Sequence, residues 1–138
     1  MILLLILRGT NMKENKITII INKPINEVFE FTTNPKNTHL WIFLIKKEIA
    51  EEYPPKIGTK YKNCDDASNW NFYKVIEIEK NKIFTLSDLK DDYNVKYTYQ
   101  AIDDNKTEME YFEWMKNGEL KNPFTKDTLE KLKSIMEK

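Results

Sequence analysis

A carboxylate set among aromatic residues is the sharpest chemical feature of this sequence. Glu113 stands in Tyr111-Phe112-Glu113-Trp114, with Met109 two positions before the run. Alternate residues of an extended chain share a face, so Met109, Tyr111 and Glu113 would point one way. On the preceding extended run, Tyr97, Tyr99 and Ala101 share one face, and Lys96, Thr98 and Gln100 the other. Paired, the two inner faces make a wall of phenol rings, a thioether and one carboxylate. Such a wall suits an amphipathic ligand, because rings supply contact area and hydroxyls supply orientation. The same stripe serves equally well as plain core packing. An inward Glu113 is costly unless paired, and there it would hold a polar ligand group or act as an acid or base. The alternatives are a solvent-facing place at the strand end, or an ion pair with a lysine such as Lys116.

Other reactive residue types add little. His39 is the sole histidine, so no histidine-based metal cluster forms; it would titrate at a pocket mouth or be an ordinary helix residue. Cys64 is the sole cysteine, which excludes an internal disulfide and a thiolate zinc site. The pairs Asp65-Asp66, Asp91-Asp92 and Asp103-Asp104 sit where turns are expected, and turns favour Asp through local hydrogen bonds. They lack the Gly and terminal Glu of a calcium loop. Glycine occurs only at positions 9, 58 and 118, too sparse for a phosphate-binding loop, and no G-x-S-x-G nucleophile elbow is present. No cofactor and no metal are expected.

Composition narrows the partners. The 22 basic and 22 acidic residues cancel, leaving no global field for nucleic acid or an anionic membrane. Arg8 is the single arginine, and planar recognition of phosphate or guanine is largely arginine work. A cytoplasmic location follows from the cysteine usage, with a monomer or weak homodimer as the expected state. Met1 to Leu7 is apolar but far shorter than the roughly 20 residues of a membrane-spanning helix. Residues 1–11 are expected either to precede a true start at Met12 or to add an edge strand or dimer contact. A membrane anchor is the third reading.

These residues must be held by elements that the chain announces in order. Ile17, Ile19 and Ile21 alternate into a β-strand. Pro24 starts a helix whose inner stripe is Ile25, Val28, Phe29 and Thr32. Asn34-Pro35 ends it, and a second short helix runs from Pro35 to Trp41. Strands are expected over Lys46–Glu52, Thr59–Cys64, Trp70–Glu79, Ile83–Leu89, Tyr93–Ile102 and Thr107–Met115. Tight polar turns between them predict an antiparallel meander. Asn122-Pro123 would cap a final helix with Thr125, Thr128, Leu129, Leu132, Ile135 and Met136 on one face. At about fifteen residues it would extend roughly 22 Å.

This β-α-α-β(5–6)-α order resembles the START-like, Bet v 1-like (SRPBCC) superfamily, especially its small polyketide cyclase/dehydratase-like members. The residues that carry the likeness are Ile17 to Ile21, Pro24 to Phe29, Asn34-Pro35, Trp41, Ile57-Gly58-Thr59, Tyr73 to Glu77, Lys106 to Met109 and the terminal helix. They span nearly the whole chain from Met12, so residues 12–138 are expected to form one domain. The resemblance implies an α+β helix-grip fold, with a curved antiparallel sheet wrapped around a long C-terminal helix and a cavity between them. Trp41 would then pack near the cavity entrance or simply in the core. Trp41, Tyr97, Tyr99, Met109, Tyr111, Glu113, Leu129 and Leu132 are the candidate cavity residues. The expected partner is a hydrophobic or amphipathic small molecule, lipids included, and catalysis is not required. Two other readings stand beside it. One is a cyclase or dehydratase in which Glu113, His39 or a tyrosine handles protons. The other is a cochaperone-like interaction module with an apolar patch at Trp70 or Leu3 to Ile6.

Overall fold

In the computed structural model, which describes residues 12–138, the alternating run before Pro24 becomes strand β1, Glu14–Ile21. Helix α1, Ile25–Thr33, follows at once, then a 3-10 turn over Pro35–Asn37 and a single helical turn, α2, Thr38–Trp41. Pro24 is the residue before the helix, and its carbonyl accepts the Glu27 and Val28 amides. Asn34 ends α1 in an extended conformation, as the following proline requires, and its side chain accepts the Lys36 amide at 3.0 Å. The chain then runs through β2 (Lys47–Ala50), β3 (Lys60–Cys64), β4 (Trp70–Glu79), β5 (Ile83–Asp88), β6 (Tyr93–Asp103) and β7 (Lys106–Met115) before α3, Lys126–Met136.

All seven strands make one antiparallel sheet in the order β1-β7-β6-β5-β4-β3-β2. The first strand pairs with the last, so among the described residues the two edges are β1 and β2, and α1 and α2 carry the chain from one to the other. This is the α+β helix-grip arrangement, with α3 packed against β1 and α2. Register sets which residues meet across the inner face. One row reads Ile17, Tyr111, Tyr97, Phe84, Ile78, and the next reads Asn15, Glu113, Val95, Leu86, Val75. Leu129 and Leu132 of α3 are fully buried in the same cluster as Met109 and Tyr111. Each such leucine contributes about 2–3 kcal/mol by leaving water.

Most strand boundaries shift by no more than a single residue from the sequence-based expectation, and two larger differences stand out. The second strand ends at Ala50 rather than Glu52, because the Glu51 side chain takes the Lys60 amide at 2.7 Å in place of a backbone partner. The last helix starts at Lys126, with Thr125 rather than Asn122 before it, and has 11 residues. Its shorter start has a local cause. The Phe124 amide donates to Glu113 Oε2 at 2.7 Å and the Phe124 carbonyl accepts from Asn15 Nδ2 at 2.8 Å. Both backbone groups are therefore spent on the sheet, and residues 116–125 form a strap rather than a first helical turn. The apolar segment Leu3 to Ile6 and the expectations attached to residues 1–11 lie outside the described residues. No helix among the described residues is long and apolar enough to cross a membrane.

Candidate functional site

Between the inner face of the sheet, α2 and the strap lies a cavity of about 760 Å³. Its depth is walled by Phe84, Leu86, Val95, Tyr97 and Tyr111, supplied by adjacent central strands in the register above. Its mouth is edged by Leu44, Trp70, Phe72 and Leu89, all exposed. A space of this size matches pockets that enclose molecules of a few rings. α3 packs against β1 and α2 and none of its residues lines the cavity, whereas Glu119 to Asn122 and Phe124 of the strap do.

Glu113 lies inside, 1% exposed. It faces inward in phase with Met109 and Tyr111, so neither the solvent-facing alternative nor the Lys116 pairing holds. Lys116 bonds Asp91 at 2.7 Å instead, and that ammonium holds the Asp91 carboxyl below its ordinary range. Three donors satisfy the Glu113 carboxylate: Tyr93 Oη to Oε1 at 2.8 Å, and Asn15 Nδ2 at 2.9 Å and the Phe124 amide at 2.7 Å to Oε2. The Phe124 ring stacks on Tyr111 with centroids 4.1 Å apart and planes 3° from parallel, and Trp41 meets it edge-on at 6.0 Å. Glu113 thus clamps the strap to the sheet, closing the cavity's roof, with its acceptors already in use.

A second carboxylate sits across the cavity. Glu48 of β2 accepts Thr38 Oγ1 at 2.6 Å and Asn63 Nδ2 at 3.1 Å. All three residues line the cavity, as does Tyr73. Burial raises the Glu48 carboxyl above its ordinary range, and the bonds from Thr38 and Asn63 offset only part of that rise. The titratable groups facing it are the phenols of Tyr61, Tyr73 and Tyr97. Burial, with the charge of Glu48 adding, pushes the Tyr73 phenol up to about 12 and those of Tyr61 and Tyr97 higher, so all three stay neutral at physiological pH. The raised Glu48 value makes folding stability fall as pH rises through it, since the folded state then holds a poorly solvated charge. Glu48→Gln removes that loss. The variant's melting temperature is expected to gain on the native protein by a few degrees between pH 5 and pH 8, measured by parallel thermal scans; a difference independent of pH would contradict this assignment.

The structure separates the candidate residues into two groups. Tyr97, Tyr111 and Glu113 line the cavity. Trp41, Tyr99, Met109, Leu129 and Leu132 are buried in the core beside it. The Tyr99 hydroxyl meets Thr32 Oγ1 at 2.7 Å and fastens α1 to the sheet. Trp41 is enclosed by Tyr97 and Phe124, and its Nε1 has no acceptor among the described residues. Leu44 and Trp70 edge the entrance instead. His39 is exposed on α2, and Cys64 is a buried residue of β3. Asp65 spends its carboxylate on the Ala67 and Asn69 amides and the Asn69 side chain, so that pair is a turn device. Among the described residues no group of His, Cys, Asp or Glu gathers as a metal site.

Sequence reasoning missed Glu48, Thr38 and Asn63. Asn63 was findable, since it shares a face with the tyrosine at position 61. Glu48 was not, because β2 is inverted: it turns Glu48 and Ala50 inward and leaves Ile49 partly exposed.

An antiparallel sheet gripping a C-terminal helix, with an aromatic cavity beside the helix, defines a helix-grip protein. No family model matches this chain, and no curated protein matches it. Solved structures do share the fold. An uncharacterised protein from Bacillus thuringiensis is 9% identical, with a TM-score of 0.68 over 91% of this chain and 99% of that one. An HSP90 activator from Plasmodium falciparum is 17% identical, with a TM-score of 0.66 over 91% and 96% of the two chains. The Aha1 dimer from Colwellia psychrerythraea is 11% identical, with a TM-score of 0.57 over 91% and 89%.

Proposed function

We propose that this protein binds a small amphipathic molecule in its helix-grip cavity, as a START-like carrier or receptor does, and that residues 12–138 act as one domain. The observation that carries the reading is the open volume of about 760 Å³ between aromatic walls, entered through an apolar mouth. Rings and aliphatic side chains provide the contact area, while Glu48, Asn63 and the tyrosine hydroxyls provide orientation. At the roughly 0.3 kcal/mol per non-hydrogen atom that drug-sized ligands retain after ordering costs, a probe of about 22 such atoms nets about 6–7 kcal/mol. A dissociation constant on the order of tens of micromolar is therefore expected for a generic probe. The test is a fluorescence titration with Nile red, a neutral polycyclic dye. A saturable blue-shifted signal, with a concentration-dependent rise in melting temperature, is expected. No saturable binding up to about 100 µM would contradict the reading.

A second reading has its own support. Phe43 is 87% exposed next to Leu44, which edges the mouth with the exposed Trp70 and Phe72, and exposed apolar groups of this kind mark protein contacts. One solved structure that shares the fold, the Plasmodium falciparum protein, is an HSP90 activator. A chaperone contact of that type would use the rim and survive occlusion of the cavity, which distinguishes it from ligand binding.

A further inference from the structure

We infer that the molecule this cavity selects is an amine: a ring-bearing body with one protonated amino group, received by the Glu48 carboxylate. This rests on the cavity reading above and narrows it to a chemical class.

The charge of the lining points the same way. Among the described residues, six carboxylate side chains line the cavity and its mouth, against two ammonium groups, Lys90 and Lys121. The chain as a whole carries no net charge, so this excess is local. A cleft of one sign with low-dielectric walls concentrates the opposite charge.

Four of those carboxylates each hold at least one backbone amide, which Glu48 does not among the described residues. Asp65 closes its own turn. Asp88 accepts the Asp92 amide at 2.8 Å, Asp92 accepts the Asn117 amide at 2.7 Å, and Glu113 holds the strap through three donors. Glu119 is exposed at the mouth. Glu48 differs. It takes two neutral donors, Thr38 and Asn63, whereas a carboxylate offers about four acceptor positions. Among the described residues no ammonium lies within ion-pair distance of it. It is therefore a half-buried carboxyl group with spare acceptors, lining an open cavity.

The surroundings suit a cation on a ring-bearing body. Tyr73 and Tyr97 line the cavity near Glu48, and an ammonium between a carboxylate and aromatic rings gains from both. A neutral alcohol offers one donor in the same place. An anion meets the carboxylate excess without compensation.

The experiment uses one ring system in three charge states. Tryptamine, tryptophol and indole-3-acetate carry a positive, a neutral and a negative group on the same indole. Each competes with Nile red for the full chain at pH 7.5. Tryptamine is expected to displace the dye at about tenfold lower concentration than tryptophol, with indole-3-acetate weakest. Glu48→Gln should collapse the gap between tryptamine and tryptophol to within about twofold, each displacement referred to the variant's own Nile red dissociation constant. Glu48→Asp, which keeps the charge, should retain the preference for tryptamine, a result that a purely structural role would not give. Tryptamine binding no better than tryptophol would overturn the amine assignment while Nile red binding leaves the cavity reading standing. A gap undiminished in Glu48→Gln would overturn it as well. Failure of Nile red itself in the native protein would remove both.

Discussion

Replacing Glu113 with alanine is expected to lower the melting temperature by ~10–15 °C, the largest loss of stability among substitutions at the site. The side chain holds three parts of the fold at once: Asn15 on β1, Tyr93 on β6 and the backbone of Phe124 in the strap. Its removal leaves those donors in a region without ready access to water. Each unsatisfied buried donor costs about 1–3 kcal/mol. Solvent reaching the cavity will rescue part of this, so a total of about 3–4 kcal/mol is reasonable, at roughly 3–5 °C per kcal/mol for a chain of this size. Glu113→Gln should fall about halfway, since one oxygen can still accept while the amide nitrogen faces a donor. Thermal unfolding followed by circular dichroism measures the loss. Amide exchange at Phe124 localises it, because the strap should open before the sheet melts. A melting temperature within about 2 °C of native would show that Glu113 does not clamp the strap.

The fold was readable in the sequence where local patterns coincide with tertiary demand. Ile17, Ile19 and Ile21 alternate and do face the core, although Ile17 is only half-buried. Asn34-Pro35 stops α1 where steric exclusion requires it. The polar turns place all the later strands to within a few residues. The inward phase of Tyr97, Tyr99, Met109 and Tyr111 likewise follows from alternation.

The rest depended on pairings between residues remote in sequence. Whether Glu113 faced in or out was set by Asn15 and Phe124, 98 and 11 residues away. The Asn122-Pro123 signal for a helix start was overridden by the same bonds. Glu48 was hidden because its strand turns an isoleucine outward and a carboxylate inward, against the binary pattern that makes strands legible. Trp41 could not be placed between core and entrance from its own neighbours, since Tyr97 and Phe124 decide it. Local pattern thus located the wall of the cavity, while its polar contents required the long-range contacts.

Filling the cavity should abolish ligand binding while leaving the protein folded. Leu86 is suited to this. It lies in the same cross-strand row as Glu113 and Val95, and all three line the open space. In Leu86→Trp the added ring enters a volume of about 760 Å³ rather than a filled core, so the overpacking cost of about 1–3 kcal/mol for close-packed sites should be reduced. The melting temperature should stay within about 5 °C of native. Ligand binding should weaken by about a hundredfold or more, the equivalent of some 3 kcal/mol, because the indole occupies the contact area that a ligand would use. The exposed rim of Leu44, Trp70 and Phe72 is untouched, so any dye held there would still bind. A Nile red titration of native and Leu86→Trp protein side by side is therefore the most direct test of a ligand-binding cavity. Saturable binding to the native chain, lost in a variant that remains folded, is the expected result. Equal affinity for the two would place the dye on the surface and contradict the cavity as the binding site.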